Sequence, residues 1–61
     1  MQRTNQIDNV KQAEYVINFR SHHGDYYTID TDEGVYSICT THAEAVARCE
    51  ELGGSWADNT L

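Results

Sequence analysis

Three segments rich in β-forming residues, joined by links of only four or five residues, constrain the fold more than any other feature of the sequence. The segments are Ala13–Arg20, Tyr26–Asp30 and Val35–Thr40, and the turns are Ser21–Asp25 and Thr31–Gly34. Val, Ile, Tyr, Phe and Thr favour strands, while Gly adopts the backbone angles of tight turns. Two parallel strands need a crossover of about a dozen residues, so links this short predict an antiparallel sheet.

A single helix is predicted after the third strand. Thr41 is a good N-cap residue, and Glu44 follows three positions later, which is the capping-box pattern. Strong helix formers continue to Leu52, and Gly53 with Gly54 ends the helix. The apolar residues fall on one narrow stripe, so the helix packs on one face of the sheet and turns an acidic face outward. The predicted fold class is α+β: a three-stranded antiparallel sheet with one C-terminal helix packed on one face (βββα).

The 61 residues are expected to form one small domain. Residues 1–12 are mostly polar, and we expect a short helical turn capped by Thr4 or Asn5, or a mobile arm. The tail from Ser55 to Leu61 holds the only Trp and is expected to fold back over one end of the core. Strand alternation and the helical stripe predict this core: Tyr15, Ile17, Phe19, Tyr27, Ile29, Tyr36, Ile38, Ala45, Val46, Cys49 and Leu52. The opposite face of the sheet is open and carries Val16, Asn18, Arg20, Tyr26, Thr28, Val35 and Ser37.

The charges are segregated along the chain, and acidic residues dominate. Residues 21–61 carry eight Asp and Glu against Arg48 alone, and the formal net charge of the chain is −6. The pattern places the carboxylates on two hairpin turns and on the outer helix face, where Glu44 is predicted to pair with Arg48. Nucleic-acid binding requires Lys and Arg, so this balance argues against direct nucleic-acid contact. The acidic surface is either a solvated face or a surface that binds a basic protein partner. The candidate partner-binding residues are Asp25, Tyr26, Asp30, Asp32, Glu33, Glu44, Glu50 and Glu51.

The sequence shows no pattern typical of an enzyme or of a cofactor site. No phosphate-binding Gly loop, no Gly-x-Ser-x-Gly and no Cys-x-x-Cys occurs. Cys49 lies beside Glu50 in the helix, which disfavours a reactive thiolate. A metal site built from Cys39, His42 and Cys49 is one alternative, because a strand end and a helix start lie close together. The other is a structural role, with Cys49 buried as a small apolar side chain.

The sequence favours a cytoplasmic protein with no membrane span. No apolar run of about 18 residues is present, and no apolar stretch typical of a secretory signal follows Met1. Two cysteines are too few for a disulfide scaffold, and in a reducing cytoplasm Cys39 and Cys49 are expected to be free thiols.

In size, charge and architecture the chain resembles the small acidic anti-CRISPR proteins encoded by phages. The acidic segment from Asp25 to Glu33 and the helix face with Glu44, Glu50 and Glu51 carry that resemblance. It implies a non-enzymatic inhibitor that mimics DNA charge and blocks the nucleic-acid-binding groove of a CRISPR effector complex in the host cytoplasm. One alternative is a self-associating adaptor or structural module, a homodimer formed through the open sheet face or an edge strand. Another is a small metal-binding domain.

Overall fold

The fold is a four-stranded mixed sheet with one helix packed on it. The computed structural model describes residues 5–61. Its elements are β1 (Tyr15–Ser21), β2 (Asp25–Thr31), β3 (Gly34–Cys39), α1 (His42–Leu52) and β4 (Trp56–Asp58). The strand order is β3-β2-β1-β4, with β1 to β3 antiparallel and β4 parallel to β1. The βββα core is therefore confirmed. Within residues 5–61, no helix is long and apolar enough to cross a membrane.

The fourth strand corrects the prediction of a three-stranded, purely antiparallel sheet. In the parallel register, Tyr15 lies opposite Trp56 and Ile17 lies opposite Asp58. Short links exclude parallel pairing only between the strands that they join directly, and α1 is long enough to carry the chain from β3 to the far side of β1. The tail does fold back on the core as predicted, but it does so as a strand. A strand of three residues is too short for alternation to reveal it.

The buried core lies largely between the sheet and α1, and it differs from the predicted core mainly in β3. Fully buried apolar side chains are those of Ile17, Ile29, Cys39, Ala45, Cys49, Trp56 and Ala57. Three predicted core residues are instead substantially exposed: Phe19 (48%), Tyr36 (54%) and Ile38 (66%). A bulge in the β2–β3 pairing sets Ser37 opposite Ile29 and Ile38 opposite Thr28. A shift of one residue exchanges the faces of a strand, so Ser37 and Cys39 face the helix whereas Ile38 faces away.

Both predicted ends of α1 are confirmed. The hydroxyl of Thr41 accepts a hydrogen bond from the Glu44 backbone N–H at 3.1 Å. The carboxylate of Glu44 reaches back to the backbone N–H of Thr40 at 3.2 Å, one residue earlier than in the usual capping box. At the other end Gly53 has φ 83°, a left-handed conformation that Gly adopts without steric cost.

The segment before β1 covers the outer edge of β4. Ile7 donates its backbone N–H to the Trp56 carbonyl at 2.8 Å, and Trp56 donates to the Asn5 carbonyl at 3.3 Å. Gln6 forms a parallel bridge with Trp56, and residues 9–12 then form a hydrogen-bonded turn. Asn5 is therefore extended, and its prediction as a helix cap is wrong. Thr4, the other predicted cap, lies outside the described residues.

Candidate partner-binding surface

The two acidic hairpin turns lie at opposite ends of the sheet. The turn between β1 and β2 holds His23 and Gly24 at positive φ and leads into the exposed Asp25. The turn between β2 and β3 exposes Asp32 and Glu33. The seven residues of β2 separate these turns by about 20 Å at roughly 3.3 Å per residue. The carboxylates predicted on the two turns therefore do not form one patch.

The C-terminal end of α1 lies at the same end of the molecule as the second turn. Because β3 and β4 run in the same direction, the helix that joins them runs back along the sheet. The chain that follows the helix lies close to the start of β1: a Cβ added to Gly54 would be 2.9 Å from the Tyr15 ring. We call this end of the molecule, with the exposed carboxylates of Glu14, Asp32, Glu33, Glu50 and Glu51, the acidic end.

An open cleft of about 560 Å³ lies in the acidic end. The rings of Tyr15 and Tyr36 stand edge to face in it, with centroids 5.4 Å apart. Glu14 accepts the backbone N–H of Ser55 through Oε1 at 3.2 Å, which fixes its position beside the cleft. The cleft is lined by Lys11, Ala13, Glu14, Tyr15, Thr31, Asp32, Glu33 and Tyr36. Aromatic rings beside carboxylates suit the side chain of Lys or Arg, since the rings contact its stem and attract its charge.

Asp30 does not belong to the acidic end, contrary to its predicted place on an exposed turn. Its Oδ2 accepts hydrogen bonds from Asn18 Nδ2 at 2.5 Å and from Arg20 Nη2 at 2.8 Å. Only 18% of the Asp30 side chain is exposed, and its Oδ1 is buried without a hydrogen-bond partner. Arg20 also donates from Nε to Thr28 Oγ1 at 3.2 Å. The charge of Asp30 is thus neutralised by Arg20, on the sheet face that was predicted to be open.

Glu44 is exposed, but its carboxylate is hydrogen-bonded at the start of the helix. Its Oε1 accepts from both the hydroxyl and the backbone N–H of Thr40, at 2.9 and 3.2 Å. These hydrogen bonds from Thr40 lower the pKa of Glu44, with a smaller contribution from the charge of Arg48. The predicted ion pair between Glu44 and Arg48 does not form, because Arg48 donates instead to Ser37 Oγ at 3.2 Å. Glu44 therefore has a structural role at this helix terminus.

Four of the eight predicted binding residues lie at the same end of the molecule. Asp32 and Glu33 are on the second turn, and Glu50 and Glu51 are near the end of α1. The remaining four are Asp25 at the far end, Tyr26 half-buried opposite Arg20 on the open face, and the internally bonded Asp30 and Glu44. Sequence reasoning missed the cleft residues Lys11, Glu14, Tyr15 and Tyr36. Both tyrosines were assigned to the core: Tyr15 does pack against it, partly buried, whereas Tyr36 is 54% exposed because it lies on the edge strand β3.

A buried carboxylate on β4 forms a second cluster of polar contacts that sequence reasoning missed. Asp58 Oδ2 lies 2.5 Å from His42 Nε2, and Oδ1 accepts from the backbone N–H and hydroxyl of Thr60 at 2.9 and 2.5 Å. Burial by itself would raise the pKa of Asp58, but the hydrogen bonds from Thr60 and His42 outweigh it and hold that pKa below its usual range. An Asp followed two residues later by Thr is a common local turn, and that spacing was the available signal.

The alternative metal site at Cys39, His42 and Cys49 is not assembled. Both cysteines are free and buried, and burial raises the pKa of Cys49 to about 11. His42 directs Nε2 to Asp58 rather than toward the thiols. Among residues 5–61, no three His, Cys, Asp or Glu side chains are grouped to hold a metal ion.

Comparisons with protein families, with curated proteins and with solved structures find no match to this chain.

Proposed function

We propose that the protein is a non-enzymatic inhibitor that binds a basic protein surface through its acidic end. The observation that carries the proposal is an aromatic cleft lined by Asp32 and Glu33, at the same end of the molecule as the helix end that carries Glu50 and Glu51. Among the residues that line the cleft, only Lys11 is basic. A groove lined with Lys and Arg supplies the opposite charge, and complementary charge accelerates association and selects the partner.

The acids at the end of α1 add a physical argument for a partner. The last turn of a helix carries a partial negative charge from its unpaired carbonyl groups, so acidic residues are unfavourable there. Glu50 and Glu51 lie near that end, and the last turn contains no basic residue. These residues therefore do not stabilise the isolated domain. A cationic partner removes the repulsion, so part of the binding energy comes from relief of this local cost.

The partner class that best fits is a complex that handles nucleic acid, and the resemblance to anti-CRISPR proteins favours a CRISPR effector. Such a complex holds DNA or RNA in a positively charged groove through backbone contacts. The acidic end would occupy part of that groove and compete with nucleic acid, with the stem of one Lys or Arg resting against the Tyr15–Tyr36 pair. The site of action is then the cytoplasm of the host cell.

The experiment measures target-DNA binding by a panel of purified, guide-loaded CRISPR effectors, using fluorescence anisotropy with and without the protein. We expect inhibition of at least one effector, weakening as salt rises because charge–charge attraction is screened. Replacement of the four acids together, with Asp32→Asn, Glu33→Gln, Glu50→Gln and Glu51→Gln, should weaken inhibition by at least about tenfold, at a few tenths to 1 kcal/mol for each exposed charge.

A matched pair of single variants tests the location of the site. Glu33→Gln and Asp25→Asn each remove one exposed turn carboxylate, at opposite ends of the sheet. Glu33→Gln should weaken inhibition about 2- to 5-fold, and Asp25→Asn should leave it unchanged. Equal effects of the two variants would place binding elsewhere. Failure to inhibit any effector in the panel would reject the CRISPR assignment.

A further inference from the structure

The sheet has two edges, and the described residues protect only one of them. At β4, the segment Asn5–Ile7 hydrogen-bonds along the outer edge. At β3, no strand or segment among residues 5–61 pairs with the outer edge. An unpaired edge presents backbone N–H and C=O groups that can bind another strand.

The side chains of β3 do little to discourage such pairing. Its six residues, Gly-Val-Tyr-Ser-Ile-Cys, include no charged residue and no Pro, which are two of the usual means of blocking an edge. Val35 and Ile38 are 58% and 66% exposed. The one irregularity is the bulge near Tyr36, and it has a specific effect. Because Val35 pairs with Asp30 and Ile38 with Thr28, both apolar side chains lie on the same, open face of the sheet.

We propose that β3 pairs antiparallel with β3 of a second copy of the chain, joining the two sheets into one of eight strands. This inference is independent of the proposed function. With the twofold axis between Tyr36 and Ser37, Val35 lies opposite Ile38 of the second copy, and Ile38 opposite Val35. The bulge allows this match, since residues directly opposite in an antiparallel pair lie on the same face. On the helix face, Tyr36 of the second copy lies opposite Ser37 of the first. The guanidinium of Arg48 in the first copy donates a hydrogen bond to this Ser37, so it lies close to the Tyr36 ring of the second copy.

The placement of the acidic turn favours this antiparallel orientation. The acidic turn with Asp32 and Glu33 immediately precedes β3. In an antiparallel pair the two turns lie at opposite ends of the interface, whereas a parallel pair would place them side by side. Since the edge of β4 is covered, residues 5–61 of each copy offer one free edge. The assembly therefore closes as a twofold dimer and does not extend into a fibre.

The dimer is expected to be weak and to strengthen with salt. Two six-residue strands and their side chains bury less than the roughly 1,200–2,000 Å² of a stable complex, so we expect weak association, with a Kd on the order of 100 µM. Each copy carries a formal charge of −6, so the two copies repel each other as whole molecules. Raising salt from about 0.05 M to about 0.5 M shortens the screening length roughly threefold. It should lower the Kd severalfold, whereas binding to a basic partner weakens under the same change.

Sedimentation of the full chain from about 10 µM to about 1 mM, at both salt concentrations, tests the proposal. The variant Ile38→Lys places a charge on the edge and should raise the Kd by more than about tenfold. Leu61→Lys is its control: it makes the same change in net charge at a side chain that is 97% exposed and outside the sheet. It should dimerise as well as the unaltered chain or slightly better, since it reduces the repulsion. Circular dichroism confirms that each variant is folded.

Cross-linking then tests the register. Mixed Val35→Cys and Ile38→Cys proteins should form the heterodimeric disulfide in preference to either homodimer, because directly opposed Cβ atoms lie about 4.5–5.5 Å apart. The native thiols of Cys39 and Cys49 are buried and do not compete. A chain that stays monomeric at about 1 mM in high salt overturns the proposal. So does a dimer that is equally sensitive to both Lys variants, or one without the mixed cross-link.

Discussion

Removing the charge of Asp58 should destabilise the protein by about 2 kcal/mol at neutral pH. The Asp58 side chain is 4% exposed and links the end of β4 to the start of α1 through His42. In Asp58→Asn the shape is kept, but one of the two oxygens becomes an N–H donor that faces either Thr60 or His42. Losing a hydrogen bond to a charged group costs about 1.5–3 kcal/mol. For a chain of 61 residues, total stability is only about 3–9 kcal/mol at roughly 0.05–0.15 kcal/mol per residue.

Urea unfolding followed by Trp56 fluorescence measures this effect directly. Trp56 is the only Trp of the chain, is 2% exposed and lies in the same strand as Asp58. The pH dependence identifies the charge as the cause. The pKa of Asp58 is lower in the folded protein than its usual value near 3.9, so its contribution is fully present above that value. It is lost as the pH falls through the folded pKa, because the protonated form no longer favours the folded state.

The free-energy gap between the unaltered protein and Asp58→Asn should therefore be about 2 kcal/mol at pH near 7 and should shrink as the pH falls below about 4. Asp25→Asn, which removes an exposed carboxylate, serves as the control and should change stability by less than about 0.5 kcal/mol. Equal unfolding midpoints for Asp58→Asn and the unaltered protein at neutral pH would refute the reasoning. A gap that stays constant down to pH about 3 would show that shape, rather than charge, is responsible.

Two further predictions concern the helix. Gly53→Ala should lower the free energy of unfolding by about 1 kcal/mol in the same urea assay, because a φ of 83° is strained for Ala while no other atom lies near the added Cβ. Gly53→Asn should recover part of this loss, since Asn tolerates a positive φ better than Ala. An unchanged unfolding midpoint for Gly53→Ala would contradict backbone strain as the cause. Cys49, buried with a pKa raised to about 11, should react with a thiol reagent at pH about 8 at least about 100-fold more slowly in the folded protein than in urea. Rapid labelling of Cys49 without denaturant would show that the helix opens locally.

The sequence was sufficient for those elements whose signals are local. Thr41 and Gly53 mark the ends of α1 because capping depends on a few neighbouring residues. The antiparallel direction of β1, β2 and β3 followed from the short links alone, whereas their order in the sheet did not. Tyr27 and Tyr26 were correctly assigned to opposite faces, since a regular strand alternates.

The errors arose where distant parts of the chain decide the structure. A bulge in β3 places Ile38 on the open face of the sheet and Cys39 on the helix face, and no residue type in that strand predicts the bulge. The pairing of β4 with β1 depends on a contact between residues about forty positions apart. Asp30 was assigned to the acidic surface because Arg20 is ten residues away in sequence, yet the antiparallel register places their side chains 2.8 Å apart. The number of carboxylates in the sequence therefore overestimates the number that can contact a partner, because some of them are paired within the fold.

The two proposed surfaces adjoin where the acidic turn enters the unpaired edge strand, after Glu33, and they share Tyr36, which lines the cleft and belongs to β3. The carboxylates that attract a basic partner are thus also those that repel a second copy. A cationic partner bound at the acidic end would lower the charge that opposes β3 pairing, so the two equilibria should favour each other when the partner leaves the edge uncovered. The variant in which Asp32, Glu33, Glu50 and Glu51 are replaced by amides weakens both the attraction to a basic partner and the repulsion between two copies. It should bind a basic partner less well and dimerise more tightly, a combination that general unfolding of the protein does not produce.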